Sequence, residues 1–452
     1  MVGLFGTDGV RAQINTGPMT AEAIVRLALA AGRWFANRNN RSSDGRPKVV
    51  IGKDTRLSGY MVESAMVAGF TSIGLDCQLL GPIPTAAVAH LTRSLRAELG
   101  VMISASHNPH YDNGIKLFGP DGFKLDDQIE SEISAFSAGS IALAEAHELG
   151  RARRMLDSVG RYVEFAKSTL PGRMRLDGLT LVVDCANGAA YRTAPDTLYE
   201  LGATVVPLAV KPDGLNINEN CGAVYPQVMA AAVRAHGADA GICLDGDADR
   251  LIMADETGNI IDGDKILGCL ALAMHEKGTL SKNAVVGTFM SNCGLEVMLG
   301  KSGIDLHRVA VGDRYILEKM RKDELNLGGE PSGHTLMTDF ARSGDGLLTA
   351  LQMLTLLKNS TKKASVLFNS FTPNPQRLEN LTGINPAILQ QKSLRAAIHE
   401  IEARLGGRGR ILVRHSGTEN LIRVMVEAES ELKLNAAMDA LILQITEEAN
   451  KD

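Results

Sequence analysis

The chain has 452 residues, more than one ordinary hydrophobic core can organise, so three or four domains are expected. Hydrophobic residues make up 45% of the chain and charged residues 22%, which is typical of a folded protein and not of a disordered one. A formal net charge of -5 and the lack of a long apolar run exclude a generally basic surface and a membrane-spanning segment, so neither nucleic acid nor membrane is expected as a partner.

The cysteines and the N-terminus bear on the cellular location. The six cysteines are widely spaced, without CxxC pairs or the density of a disulfide-bonded secreted domain, so we expect reduced thiols. The first residues lack the basic region followed by an apolar run that is typical of a secretory leader. The cytoplasm is therefore the expected location.

Short β-branched runs followed by helical patterns recur along most of the chain, which is typical of α/β units with mixed sheets. Three strand candidates, at residues 48–52, 179–184 and 283–287, each lead from an apolar run into a polar loop and then a helical pattern. This similarity indicates a weak internal triplication, with one α/β unit in each repeat. Together with a different C-terminal segment, it predicts domains at residues 1–157, 158–257, 258–371 and 372–452.

Two polar loops in the first predicted domain could carry chemistry. Near the N-terminus, Gly6 and Gly9 favour close backbone approach, and Arg11 could meet a phosphate. Further along, an apolar strand leads into the segment I-S-A-S-H-N-P at residues 103–109. A hydroxyl beside an imidazole suits nucleophilic catalysis or a phosphate site, and an ordinary Asx-turn is the alternative. Lys116 could add a positive charge.

In the second predicted domain, three aspartates alternate with small residues directly after the strand-like run at residues 240–244. They are Asp245, Asp247 and Asp249. Alternate side chains of an extended chain project to one side, so three carboxylates would converge there. Converging carboxylates imply a cation, and ligands that are all oxygen atoms favour Mg²⁺.

Two alternatives compete with a magnesium site at these aspartates. An EF-hand calcium loop would use the same three residues and Glu256, but Arg250 stands where that loop requires glycine, and the flanking segments are strand-like. A solvated acidic loop remains open, although it gives no reason for Gly246 and Ala248 to keep the intervening positions small. We therefore favour the magnesium site.

The third and fourth predicted domains each contribute one polar loop. The segment G-G-E-P-S-G-H at residues 328–334 offers a carboxylate, a hydroxyl and an imidazole suited to sugar hydroxyls, on a loop that glycines loosen. The fourth domain combines a helical pattern at 394–405 with strand-like runs at 410–413 and 421–426 and a closing helix, which predicts an α+β fold. Between its strands, R-H-S-G-T-E-N at 414–420 suits an anion site, with a plain hairpin turn as the alternative.

Four of these motifs, taken together and in this order, resemble the α-D-phosphohexomutase superfamily over essentially the whole chain. They are S-A-S-H-N-P at 104–109, D-G-D-A-D-R at 245–250, G-E-P-S-G-H at 329–334 and R-H-S-G-T-E at 414–419. The segments at 5–11, 312–315 and 421–427 are most similar to its bacterial branch that interconverts glucosamine 6-phosphate and glucosamine 1-phosphate. That resemblance implies an intramolecular phosphotransferase with four domains around a central active-site cleft. It also implies a place in the synthesis of UDP-N-acetylglucosamine and cell-wall precursors.

The resemblance assigns roles by motif position. Ser106 corresponds to the phosphoserine, because the family's phosphoserine immediately precedes the histidine. The implied ligands of Mg²⁺ are Ser106, as a phosphoserine oxygen, and Asp245, Asp247 and Asp249. The basic residues implied around the transferring phosphoryl group are Arg11, Lys116 and Arg250. The implied sugar contacts are Glu330, Ser332 and His334, and His334 and Lys116 are also candidates for acid and base. The implied grip on the second phosphate comprises Arg414, Ser416, Gly417 and Thr418.

The implied reaction passes through glucosamine 1,6-bisphosphate, with glucose 1,6-bisphosphate as an alternative activator, and a homodimer is compatible with it. Pro331 departs from the glutamine or asparagine that is usual in the glucosamine branch, so the choice of sugar is the part of the assignment that this position affects. The nearest alternative is a phosphoglucomutase or phosphomannomutase. A non-catalytic sugar-phosphate sensor and a metal-dependent phosphatase are the others.

Overall fold

The computed structural model describes residues 4–6, 8–38, 46–406, 409–415 and 421–450. The chain divides into two compact units, one formed by residues 1–290 and 304–370 and the other by residues 291–303 and 371–452. Each unit contains its own sheet structure and its own buried apolar core.

The first α/β segment is built on a six-stranded mixed sheet. Its elements are β1 (Val10–Gln13), α1 (Ala21–Arg38), β2 (Lys48–Lys53), α2 (Gly59–Ser72), β3 (Asp76–Pro82), α3 (Thr85–Ser94), β4 (Leu99–Ile103), β5 (Asp112–Phe118), α4 (Asp127–Ala138) and β6 (Ala152–Arg154). The strand order is β1-β5-β4-β2-β3-β6. Strand β4 is buried along its whole length, as expected for an apolar parallel strand inside an α/β layer.

The second segment carries a five-stranded sheet. Its elements are α5 (Ser158–Ser168), β7 (Thr180–Asp184), α6 (Thr193–Glu200), β8 (Thr204–Leu208), α7 (Pro226–His236), β9 (Ala240–Leu244), β10 (Leu251–Asp255) and β11 (Ile260–Ile261). The strand order is β11-β10-β9-β7-β8. Strands β9 and β10 are fully buried and pair antiparallel, so the loop that joins them is held at both ends.

The third segment carries a four-stranded sheet in the order β13-β12-β14-β15. Its elements are α8 (Gly263–Glu276), β12 (Ala284–Thr288), α9 (Cys293–Lys301), β13 (Asp305–Val309), α10 (Asp313–Asp323), β14 (Leu327–Gly329), β15 (Thr335–Met337), α11 (Gly346–Lys358) and α12 (Ala364–Leu367). Helix α9 belongs to the second compact unit.

The three sheets repeat one topology, which confirms the predicted triplication. The first strand of each repeat (β2, β7 or β12) is central, and the second and third strands pair parallel to it on either side. A fourth strand then returns antiparallel to the third. The loops of these three returning hairpins, at 104–111, 245–250 and 330–334, contain the serine, aspartate and sugar-loop motifs. The three motifs therefore occupy the same position in each repeat.

The second unit has the small α+β fold predicted for the C-terminal segment. Its further elements are β16 (Gln376–Thr382), α13 (Lys392–Ala403), β17 (Arg410–His415), β18 (Leu421–Glu427) and α14 (Glu431–Ala449). The three strands form an antiparallel sheet in the order β16-β18-β17. Strand β16 was not predicted, because its sequence Q-R-L-E-N-L-T is mostly polar and no residue in it is fully buried.

Two expectations from composition can be compared with the structure. All six cysteines are free thiols, and five of them are buried. Across the described part of the chain, no helix is both long enough and apolar enough to cross a membrane.

Candidate active site

Ser106 lies in the loop between β4 and β5 and is only 1% exposed. Its φ angle of 51° places it in the left-handed region, which a residue other than glycine seldom occupies. The backbone N–H of Ser106 donates to Ser104 Oγ at 2.9 Å, and Ser104 Oγ in turn donates to Asp54 Oδ2 at 2.6 Å. Local hydrogen bonds to a buried carboxylate therefore hold the serine in its strained conformation.

Arg56 is the main support of the serine loop. Its fully buried guanidinium donates to Asp54 Oδ2 at 2.8 Å and to a row of backbone carbonyls, those of Ser106, Asn108, Pro109 and Asp112. From the second segment, Asn218 Nδ2 donates to the carbonyl of Ser106 at 2.9 Å. Sequence reasoning missed both residues, because an arginine or asparagine that binds backbone carbonyls carries no motif of its own.

The three aspartates of the D-G-D-A-D-R motif lie in the hairpin loop between β9 and β10, and each is buried. Each offers a carboxylate oxygen, and these oxygens lie within 4.8 Å of one another. They converge through a turn with Ala248 at a φ of 59°, so the predicted convergence is found but the predicted extended chain was wrong. Gly246 is required here, because a Cβ at that position would lie 2.4 Å from the carbonyl oxygen of Ser106.

The serine and the acidic loop face each other directly. Ser106 Oγ donates to Asp245 Oδ2 at 2.6 Å. Asp247 Oδ1 is buried without a hydrogen-bond partner, and Asp249 Oδ1 has His334 Nδ1 at 3.5 Å. Burial, and then the charges of Asp249 and Asp247, raise the pKa of Asp245 to about 7. A cluster of buried carboxylate oxygens that lack donors fits a hard divalent cation such as Mg²⁺.

Lys116 supplies a buried positive charge beside this cluster and is 1% exposed. Its Nζ lies 2.8 Å from Asp247 Oδ2, 2.9 Å from Asp249 Oδ2 and 3.2 Å from Asp8 Oδ2. Burial lowers the pKa of Lys116, but the three carboxylates raise it further, so the net pKa lies well above the ordinary lysine value. Lys116 therefore places a positive charge directly against two of the three clustered aspartates.

Two arginines present unused donors to the same region. Arg11 forms an ion pair with Asp8, yet its buried Nε has no acceptor among the described residues. Arg250 donates its backbone N–H to Asp245 Oδ1 at 3.2 Å, and its Nε is likewise buried without an acceptor. Buried donors without acceptors cost free energy, and phosphoryl oxygens bound here would satisfy them.

The first two glycines of the G-G-E-P-S-G-H segment have a different role from the predicted one. Gly328 and Gly329 lie in strand β14 and not in a loop. A Cβ at Gly328 would lie 2.6 Å from Ile316 Cγ2, so glycine lets helix α10 pack closely against the strand. The prediction that these glycines loosen a loop was therefore wrong.

The sugar-loop residues themselves occupy the turn between β14 and β15. Glu330 Oε1 accepts from the backbone N–H of Gly312 at 2.9 Å, and its Oε2 accepts from Ser332 Oγ at 3.2 Å. Ser332 is exposed, whereas His334 is buried and pairs with Arg250 through an isolated β-bridge. This bridge brings the third predicted loop beside the acidic loop.

A closed ring of alternating charges links the three α/β segments. The ring runs from Lys116 to Asp249, His334, Asp313, Lys124 and Asp8, and back to Lys116. The contacts of Lys116 with Asp249 and Asp8 measure 2.9 and 3.2 Å, and those of His334 with Asp249 and Asp313 measure 3.5 and 3.6 Å. Burial lowers the pKa of His334, but Asp249 and Asp313 raise it more, so the net shift is upward. Sequence reasoning gave no role to Asp8, Lys124 or Asp313, because single charges far apart in the chain carry no sign of their partners.

The predicted phosphate-binding loop belongs to the second compact unit. Arg414 lies near the end of β17 and is exposed. Ser416, Gly417 and Thr418 lie outside the described residues. The role of this loop in holding a second phosphate therefore stays a prediction.

Models of the phosphoglucomutase/phosphomannomutase domains match four successive parts of the chain. The alpha/beta/alpha domains I, II and III match residues 2–140, 160–258 and 262–374, and the C-terminal domain matches 369–444. The chain belongs to the phosphoglucomutase/phosphomannomutase family. It is thus an enzyme of the mutase type, as the resemblance implied.

Individual members of the family are similar over the full length. The phosphoglucosamine mutase of Cereibacter sphaeroides is 56% identical over 449 residues, which are 99% of each chain. A phosphoglucomutase/phosphomannomutase family protein from Burkholderia thailandensis superposes with a TM-score of 0.82 at 23% identity, over 98% of this chain and 97% of that one. The N-acetylphosphoglucosamine mutase of Aspergillus fumigatus, solved with GlcNAc-6P and magnesium, gives a TM-score of 0.67 at 17% identity over 98% and 96%.

Proposed function

We propose that this enzyme interconverts glucosamine 6-phosphate and glucosamine 1-phosphate, with Ser106 as the carrier of the transferred phosphoryl group and glucosamine 1,6-bisphosphate as the intermediate. The single observation that carries the proposal is the contact of 2.6 Å between Ser106 Oγ and Asp245 Oδ2. This contact places a buried hydroxyl beside three carboxylates. A cation bound by the carboxylates would coordinate an oxygen of a phosphoryl group carried on that hydroxyl.

The proposed first step moves the phosphoryl group from the enzyme to the sugar. The P–Oγ bond of phospho-Ser106 breaks while a new P–O bond forms to the free hydroxyl of the bound monophosphate, whose proton leaves to a base. The released Ser106 Oγ takes up a proton. The bisphosphate then reorients in the site, and Ser106 Oγ attacks the phosphorus of its other phosphate as the proton of Ser106 leaves to a base. The P–O bond between that phosphate and the sugar breaks, and the sugar oxygen takes up a proton. Arg11 and Arg250, whose Nε atoms lack acceptors, donate to the phosphoryl oxygens as charge develops on them.

When it is bound by Asp245, Asp247 and Asp249, Mg²⁺ would supply charge neutralisation at the phosphoryl oxygens. Lys116 holds Oδ2 of both Asp247 and Asp249, which leaves the other oxygen of each carboxylate for the cation. Lys116 and His334 both lie beside Asp249, and they are the candidates for the groups that accept and donate the proton in this scheme.

The sugar assignment is supported by the relatives more than by the geometry. The full-length relative from Cereibacter sphaeroides carries the name phosphoglucosamine mutase, whereas the family models cover phosphoglucomutases and phosphomannomutases as well. We place the reaction in the cytoplasm, in keeping with the free thiols, and its product would feed amino-sugar and cell-wall precursor synthesis. The phosphate that is not reacting would be held by Arg414, Ser416, Gly417 and Thr418.

The proposal predicts a clear order of substrates. Purified enzyme with Mg²⁺ and a catalytic amount of the matching 1,6-bisphosphate is assayed in parallel on glucosamine, glucose and mannose 6-phosphates by coupled detection of each 1-phosphate. We expect kcat/KM for glucosamine 6-phosphate to be the highest. A higher value for glucose or mannose would make the enzyme a phosphoglucomutase or phosphomannomutase. Release of inorganic phosphate without any isomer would indicate a phosphatase.

A further inference from the structure

If the substrate is glucosamine phosphate, as proposed above, its amino group at C2 needs a partner that none of the proposed residue roles supplies. The amino group at C2 is protonated in much of the physiological pH range, and glucose phosphate has a neutral hydroxyl in its place. An enzyme that prefers the amino sugar needs an acceptor for that positive charge, and a carboxylate is the strongest one that a protein offers. The described residues of the site contain several carboxylates, which differ in the bonds that they already make.

Most of these carboxylates are already engaged. Asp245, Asp247 and Asp249 are committed to the proposed metal site. Asp8 is shared among Arg11, Lys116 and Lys124, and these three cations hold its pKa well below the usual range although burial opposes them. Glu330 uses one oxygen for the N–H of Gly312 and the other for Ser332 Oγ. These groups are therefore committed to the proposed metal, shared among three cations, or bonded to the protein through both oxygens.

Asp313 combines access for a ligand with a contact to the sugar loop. Its side chain is 15% exposed, against 0% for Asp245 and 4% for Asp249, so a ligand can reach it. Asp8 is more exposed, at 24%, but it is the carboxylate shared among three cations. Asp313 directly follows Gly312, whose backbone N–H donates to Glu330 of the sugar loop. Asp313 Oδ2 also lies 3.6 Å from His334 Nε2 in the same loop. Among the described residues, its Oδ1 accepts only from the adjacent backbone N–H, that of Arg314, at 2.9 Å.

We propose that Asp313 is the specificity-determining residue that accepts the ammonium group of glucosamine phosphate. Its present partner, Lys124, bonds to Asp313 Oδ2 and also to Asp8 Oδ1, the latter at 2.5 Å. The substrate ammonium replaces Lys124 at Asp313, while Lys124 keeps its ion pair with Asp8. The exchange swaps one cation for another, so it leaves no buried charge without a partner. A neutral hydroxyl cannot make this exchange.

The test compares two sugars in the same variants. In Asp313→Asn, kcat/KM for glucosamine 6-phosphate should fall relative to that for glucose 6-phosphate by about 10- to 100-fold, the size of a typical charge-assisted hydrogen bond. Asp313→Glu keeps the carboxylate and should retain most of the preference. The matched control is Asp323→Asn at the other end of helix α10, where the side chain only pairs with Lys319, and its ratio should equal that of the native enzyme.

A pH series separates recognition of the ammonium from a merely structural effect. In the native enzyme, the preference for the amino sugar should decrease as the pH rises and the substrate amine loses its proton. In Asp313→Asn the ratio should stay flat over the same range. The ionisable groups in ion-pair contact with Asp313 are Lys124 and His334, and Asp126, Arg314, Glu318, Arg321 and Arg342 line the cavity beside it. All of them are present in both the native enzyme and Asp313→Asn, so a pH effect that they cause appears in both proteins and is removed by comparing the two profiles.

The possible outcomes distinguish the two proposals. Equal losses on both sugars in Asp313→Asn, or an unchanged ratio, would overturn the role of Asp313 while the proposed function stands. If the native enzyme does not turn over glucosamine 6-phosphate at all, the proposed function fails and the inference about Asp313 fails with it. A selective loss on the amino sugar, together with a flat pH profile, supports both.

Discussion

At the scale of single residues, the candidate site is defined by atoms that lack partners as much as by atoms that have them. Asp247 Oδ1, Arg11 Nε and Arg250 Nε are all buried and make no hydrogen bond within the described part of the chain. Native proteins rarely leave such groups unpaired unless a ligand completes them. A site for a cation and a phosphoryl group requires such atoms. Acceptors without donors would bind the cation, and donors without acceptors would bind the phosphoryl oxygens.

Thr85 orients one of these carboxylates. It is fully buried at the start of α3, its Oγ1 donates to Asp247 Oδ2 at 2.6 Å, and its backbone N–H donates to the carbonyl of Asp247 at 3.0 Å. Thr85→Val keeps the shape but removes the hydroxyl. We expect it to weaken divalent-metal binding by about 10- to 100-fold, the usual effect of losing a group that orients a ligand. Titration of metal-free protein with Mn²⁺, followed by electron paramagnetic resonance, measures this directly.

Two further variants control the Thr85 prediction. Thr85→Ser restores a hydroxyl and should restore most of the affinity for Mn²⁺. Thr92→Val removes a buried hydroxyl from the same helix, where it donates only to the carbonyl of Val88 at 2.8 Å, and should bind Mn²⁺ as the native protein does. Native affinity in Thr85→Val would show that Asp247 needs no such support.

At the scale of secondary-structure elements, the site is made by one hairpin used three times. In each repeat, the fourth strand returns antiparallel to the third, and the loop between them supplies one functional motif. Helix α11 then connects the second and third repeats, because the backbone N–H of its first residue, Gly346, donates to the carbonyl of Ala248 in the acidic loop at 2.9 Å. The position of the acidic loop therefore depends on how this helix begins.

The residue that caps α11 gives a prediction about pH. Asp345 accepts from the backbone N–H of Leu348 at 3.0 Å and from the hydroxyl of Tyr162 at 2.8 Å, and burial raises its pKa to about 6. A raised pKa means that the folded protein favours the protonated carboxyl. The contribution of Asp345 is therefore complete below the ordinary aspartate pKa and is lost as the pH rises through about 6.

Asp345→Asn keeps a neutral cap and removes this titration. The free energy of unfolding of the native protein should fall relative to that of Asp345→Asn by up to about 3 kcal/mol as the pH rises from roughly 4 to 7. Urea unfolding of both proteins at several pH values, with the difference taken at each, measures this change. A difference that is constant with pH would show that Asp345 titrates normally in the folded protein.

At the scale of the whole molecule, much of the fold was predictable and part of the site was not. The repeats were visible because β2, β7 and β12 each contain a run of three apolar residues, V-V-I, L-V-V and A-V-V. The acidic loop was visible because Asp245, Asp247 and Asp249 lie within five residues of one another. The charge ring through Asp8, Lys124 and Asp313 was not predictable. Its members come from separate segments, and only the packing of those segments gives each charge its partner. The three predicted domain boundaries stay predictions.

The central claim is that Ser106 carries the phosphoryl group during turnover. Native enzyme is mixed with glucosamine 6-phosphate whose phosphate oxygens carry ¹⁸O, and the peptide that contains Ser106 is analysed by mass spectrometry as turnover proceeds. The account predicts one phosphate on Ser106 that gains the label at the rate of turnover, and no turnover in Ser106→Ala. Isomerisation with an unphosphorylated or unlabelled Ser106, or with alanine in its place, would contradict it.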